Sequence, residues 1–149
     1  MSLHYLTVQD ILWLNLQLMK KVEDFRYADL EEATYYQYGY GSSTNLLPQA
    51  ARFLTGFAKV KPFAAGNDAT ALIACLAFLK INGVDLAIED AAAWFHQIKS
   101  GEHEALDAIE KAAKESHDDH HGLTPDIRAT MGEFLVKYEN LELETASAA

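Results

Sequence analysis

The sequence predicts an all-α fold, and three observations carry that prediction. Apolar residues recur at i, i+3, i+4 and i+7 through most of the 149-residue chain. Glycine, proline and capping residues interrupt the pattern at spacings typical of helices of about three turns. One segment, Ala69 to Lys80, is apolar nearly all the way round, as a central helix packed on every side must be.

Taken in order, Thr7 and Asp10 have capping-box spacing ahead of an apolar stretch. Ile11, Leu14, Leu18 and Val22 form its face, widened by Leu12, Trp13 and Leu16. A short helix follows over 28–35. It breaks into a run containing Tyr35, Tyr36, Tyr38, Gly39, Tyr40 and Gly41. Four tyrosines with two glycines predict a small β-hairpin or an ordered loop.

The next helix opens at Pro48, a good first-turn residue. Its stripe is Leu47, Ala50, Ala51, Leu54, Phe57 and Ala58. The loop 61–67 leads into the buried helix, which Asn82-Gly83 stops. Ile88, Ala91, Ala92, Phe95 and Ile98 mark another helix, and Ala105 to Ala113 the next. After the polar break His117-Asp118-Asp119-His120-His121, Thr124 and Pro125 open a last helix with the stripe Ile127, Met131, Phe134, Leu135 and Tyr138. The expectation is one domain over 1–140, of six or seven helices, with a frayed tail over 141–149.

Charge and composition exclude several functions. Only 12 Lys and Arg stand against 22 Asp and Glu, a net charge of −10, so nucleic acid is not expected as a partner. The longest apolar run, Ala71 to Leu79, falls far short of the ~20 residues that span a bilayer. No secretory signal opens the chain, and the cytoplasm is the expected compartment. The single cysteine, Cys75, sits among Ile73, Ala74, Leu76 and Ala77 and reads as a small core residue. The histidines and aspartates of 117–121 lack the separated pairs of a zinc site and read as a solvated loop. His96 and His103 show no partner pattern, so no metal site is expected.

The loop 61–67 is the informative one. It runs into a helix start, where free backbone N–H groups and the dipole favour anions. Gly66 lets the backbone approach a ligand closely. The string Lys61-Pro62-Phe63-Ala64-Ala65-Gly66-Asn67-Asp68-Ala69-Thr70-Ala71-Leu72 resembles the signature of the Fic/Doc (Fido, death-on-curing) family. That signature reads His-Pro-Phe-x-(Asp/Glu)-Gly-Asn-(Gly/Lys)-Arg, with Thr-Ala-Leu often following in the Doc branch. The flanks resemble it too: Ala50-Ala51 with Phe57-Ala58 before the motif, and Phe78 to Leu86 after it. Leu30-Glu31-Glu32-Ala33 and the Tyr/Gly run resemble the region where the family places a β-flap over its active site. The resemblance covers roughly Thr7 to Ser116.

The resemblance implies a Fic/Doc-like helical bundle and, in active relatives, transfer of AMP or phosphate to a protein hydroxyl; the Doc branch acts as a toxin countered by an antitoxin. The family's histidine is the base, its acid holds Mg²⁺, and its arginine clamps phosphate. In this chain the base position is Lys61, whose ammonium has no free lone pair at neutral pH unless burial drives off the proton. The metal-binding acid is Ala65, and the arginine is Ala69, so the donor fork is gone. Asp68 gains roughly 0.3–1 kcal/mol from the helix dipole. It opposes an incoming phosphate by roughly 3 kcal/mol at about 5 Å and an effective dielectric of about 20. Pro62, Phe63, Gly66 and Asn67, which shape the loop, remain.

The expectation is therefore a pseudoenzyme with no catalytic residue, binding a protein or peptide. Tyr35, Tyr36, Tyr38 and Tyr40 are the candidate flap contacts. The competing expectation is an active nucleotidyl- or phosphotransferase, toxin-like, with altered residues. ATP and Mg²⁺ belong only to that second case.

Overall fold

The computed structural model describes residues 3–39, 45–116 and 125–147. Among them are eight helices and two short strands: α1 (Val8–Met19), α2 (Tyr27–Tyr35), α3 (Leu46–Val60), α4 (Asn67–Ile81), β1 (Val84–Leu86), α5 (Ala91–Lys99), α6 (Ala105–Ala112), β2 (Ala113–Glu115), α7 (Ile127–Lys137) and α8 (Leu141–Ser147). The all-α prediction with a small β element holds.

Helix α4 is the axis of the bundle. Every residue from Ala69 to Leu79 is buried, because α1, α3, α7 and α8 all pack against it. Its alanines let those neighbours approach, while Leu72, Ile73, Leu76, Phe78 and Leu79 fill the space between. Each large side chain so buried contributes about 1.5–3 kcal/mol. The Phe53 ring packs at a tilt against Phe57 and Phe78, with ring centroids 5.7 and 6.5 Å away. Cys75 lies in the same core, and burial pushes its thiol up to about 12, so it is an inert packing residue.

The capping box of α1 forms as the sequence predicts. The Asp10 amide donates to Thr7 Oγ1 at 3.1 Å, and the Thr7 amide donates to Asp10 Oδ2 at 3.0 Å. Within α3, Gly56 is required by contact rather than by backbone conformation. A Cβ there would lie 2.6 Å from the Tyr36 ring. Gly56→Ala is expected to lower stability by up to about 2 kcal/mol in urea unfolding. The clash, about 1–3 kcal/mol, exceeds the helix-propensity gain of about 1 kcal/mol.

Several expectations need correction. Helix α1 stops at Met19, where Lys20 takes a left-handed conformation (φ 59°). Val22 therefore leaves the helical face and is 80 % exposed. The described part of the tyrosine run is the end of α2 and a turn. The strands lie elsewhere: β1 and β2 pair antiparallel, with Val84 opposite Glu115 and Leu86 opposite Ala113. The chain after Ala112 thus leaves the helix that periodicity extends to Ala113. Helix α7 is capped by Asp126, whose Oδ1 accepts from the Ala129 amide at 3.0 Å, so it starts beyond Thr124 and Pro125. The expected tail begins with a helical segment. It forms α8, seated by Leu141 (1 % exposed) and Thr145 against α4 and α5. Tyr40 and the segment 117–121 lie outside the described residues.

Candidate functional site

The eight motif residues run from the end of α3 through the connecting loop, which holds Lys61, Pro62, Phe63, Ala65 and Gly66, into the first turn of α4, which holds Asn67, Asp68 and Ala69. Lys61 ends α3 in a left-handed conformation (φ 52°) and its side chain is exposed, so the burial that a lysine base requires is absent. Pro62 and Phe63 are buried. The Phe63 ring lies against Phe57 and Phe25, at 6.5 and 6.1 Å. Asn67 closes the loop on itself. Its Oδ1 accepts from the Phe63 amide at 3.0 Å and its Nδ2 donates to the Phe63 carbonyl at 2.8 Å. Gly66 starts α4 at φ 80°, a conformation that glycine adopts without strain. The first intrahelical bond runs from Thr70 N to Gly66 O, so the amides of residues 67–69 have no partner within the helix.

Two further segments hold this loop. Residues 24–26 run antiparallel beside it, with Arg26 N donating to Pro62 O at 3.0 Å and Ala64 N to Asp24 O at 2.8 Å. Arg26 Nη2 donates to the carbonyls of Val60 and Lys61, at 3.2 and 2.7 Å, and so caps the end of α3 with positive charge. From α1, Asn15 Nδ2 donates to the Ala65 carbonyl at 3.1 Å and to Thr70 Oγ1 at 3.2 Å. Met19 covers Gly66 closely; a Cβ on Gly66 would lie 2.5 Å from its sulfur. These four residues were not picked out by sequence reasoning. Asn15 had a readable signal, since it is a polar residue on the Ile11–Leu18 side of an apolar helix.

Ala65 is half-buried and carries no donor atom, and Ala69 is fully buried. Asp68 does not face solvent alone: its Oδ2 lies 2.6 Å from Lys99 Nζ of α5. Glu142, in the first turn of α8, sits close enough to feel Asp68 and Glu23. Burial first, then the charges of Asp68 and Glu23, raise its carboxyl above the usual range. Asp68, at the start of α4, is paired with Lys99, and Glu142 of α8 lies near enough to feel its charge.

That arrangement makes a pH prediction. A carboxyl raised in the folded state binds its proton more tightly there than in the unfolded chain. The penalty is therefore present above the folded value and disappears as pH falls through it. Glu142→Gln is expected to raise Tm at pH 7, and the gain should vanish in scans below about pH 4, where glutamate is protonated in both states.

The candidate flap tyrosines are partly committed to packing. Tyr38 lies 4.3 Å from Tyr5 and 5.9 Å from Tyr35 between ring centroids. Tyr36 covers Gly56, and Arg52 donates to the carbonyls of Tyr36 and Tyr38. Between them Gln37 is fully buried. It accepts from Leu6 N at 2.8 Å and donates to Leu6 O at 2.7 Å. Tyr35 and Tyr38 keep an exposed edge. Among the described residues, no group of three or more His, Cys, Asp or Glu side chains is arranged to hold a metal ion. No helix there is long and apolar enough to cross a membrane.

Comparison with known proteins agrees with the loop. No curated protein and no solved structure matches the chain. The model of the Fic/DOC family matches residues 5–79, half of the chain, from the approach to α1 through the motif loop and nearly all of α4. The chain therefore belongs to the Fic/DOC family.

Proposed function

We propose that this chain is a non-catalytic member of the family that acts by binding a protein or peptide partner. The observation that carries the reading is the state of the motif loop: the residues that shape it are in place, and those that would react are not. Pro62, Phe63, Gly66 and Asn67 hold the turn. Lys61, Ala65 and Ala69 stand where relatives carry the base, the metal-binding acid and the phosphate clamp.

A nucleotide with Mg²⁺ does not fit these residues. Ala65 offers the ion no oxygen, and the one carboxylate of the loop, Asp68, is bound to Lys99. Asp68 also brings a carboxylate to the first turn of α4, where an anion would otherwise sit, with Lys99 offsetting part of its charge. Each missing catalytic group supplies orders of magnitude in rate in active enzymes. What remains is a rigid helical body with exposed apolar side chains, which suits recognition.

A transfer assay tests this. The protein would be incubated with Mg²⁺ and ATP labelled in turn at the α- and γ-phosphate, in a lysate depleted of small molecules. No label on any protein above that of the heat-treated control is expected. Label that depends on the added chain would establish the transferase reading instead.

A further inference from the structure

We propose that the groove between α1 and residues 22–25 docks a basic peptide segment of a protein partner, seating one of its large apolar side chains. This rests on the partner-binding reading above and names its surface.

The groove encloses about 260 Å³, below the ~300–1,000 Å³ of small-molecule pockets and on the scale of a side chain rather than a nucleotide. Its walls are apolar, formed by Leu12, Leu16, Val22 and Phe25. Three of these, Leu16, Val22 and Phe25, are among the exposed large hydrophobic residues of the chain. Single exposed apolar side chains are ordinary; several lining one groove are not.

Two polar groups define what enters. Asn15 lines the groove and is 2 % exposed. Both hydrogens of its Nδ2 are used, on Ala65 O and Thr70 Oγ1. Among the described residues nothing donates to its Oδ1, and a buried carboxamide oxygen requires a donor. An N–H of an incoming chain supplies one. Glu23 is the other. Its partner Lys21, at 3.3 Å, is largely exposed while the Glu23 side chain is 11 % exposed, so the lysine end of the pair is the one an incoming cation replaces. Asp24 adds an exposed carboxylate beside it.

Charge then selects the occupant. The chain carries a net charge of −10, so a second copy is repelled and a basic segment is drawn in. An apolar anchor for the walls, an N–H for Asn15 and a cation for Glu23 together describe a basic peptide.

The test uses the full chain and two labelled probes: a short amphipathic Leu/Lys peptide and its Leu/Glu counterpart. Fluorescence anisotropy gives affinity, and amide shifts locate the site. The Leu/Lys peptide is expected to bind and the Leu/Glu peptide not, with shifts centred on Leu16, Val22 and Phe25. Val22→Asp and Leu16→Asp should each weaken binding by about tenfold or more, as loss of an interface anchor does. Both add negative charge, so non-specific attraction would change affinity the other way. Glu23→Lys should reverse the preference between the probes. No binding of the Leu/Lys peptide, or binding that Val22→Asp leaves intact, overturns the proposal. Shifts centred on Tyr35 and Tyr38 instead would overturn the groove while leaving partner binding standing. Transfer of label from ATP would remove the non-catalytic reading itself.

Discussion

Replacing Ala69 by arginine, the residue that active relatives carry there, is expected to destabilise the fold by more than about 4 kcal/mol rather than to rebuild a phosphate clamp. Ala69 is fully buried in the first turn of α4, and the guanidinium would have to enter a packed core. Overpacking alone costs about 1–3 kcal/mol, and an unpaired buried charge costs several more. Ala65→Asp is a useful control: that position is half-buried, so the added carboxylate can reach water and the loss should stay within about 1–2 kcal/mol. Urea unfolding of the two variants decides it. An Ala69→Arg protein with an unchanged midpoint would mean that the helix start has room for the missing clamp, and that catalysis could be restored by substitution.

The second large effect is expected at Gln37. Its carboxamide holds both backbone groups of Leu6, and its own carbonyl accepts from Gln49 Nε2 at 2.9 Å. Gln37→Ala would leave a buried N–H and a buried carbonyl unpaired, at about 1–3 kcal/mol each, with a cavity added. A loss of about 2–5 kcal/mol is expected, with the Leu6 amide exchanging faster than amides of α4. A loss under about 1 kcal/mol would show that water replaces the side chain and that the tyrosine segment is not anchored there.

Much of the fold was legible in the sequence, for physical reasons that can be named. The all-round apolarity of 69–80 announces α4 because only a central helix can hide such a surface. The Thr7–Asp10 spacing announces the α1 cap because it needs only local geometry. The misreadings share a different origin. Lys20 ends α1 in a left-handed conformation without the glycine that would signal it, so Val22 looked helical. Helix α8 is too short to show a period, and Leu141 and Thr145 are buried only because α4 and α5 receive them. The β1–β2 pairing joins segments about 30 residues apart, beyond any local pattern.

The candidate site divides the same way. The identities at 61, 65 and 69 were legible. The contacts that now hold the loop were not. Lys99 reaches Asp68 from α5, Met19 covers Gly66 from α1, and Glu142 approaches from α8. Each of these is a tertiary contact between residues that look like ordinary surface or helix positions in isolation.

The most direct measurement of the central claim, that the family's nucleotide site has been lost while its scaffold is kept, is a calorimetric titration of the purified protein with ATP, with and without Mg²⁺. No binding heat up to millimolar ATP is predicted under either condition, because Asp68 at the start of α4 is tied to Lys99 and Ala65 and Ala69 offer neither a metal ligand nor a phosphate donor. Micromolar binding that requires Mg²⁺ would contradict the account, since it demands a metal ligand and a phosphate clamp that the residues described here do not supply.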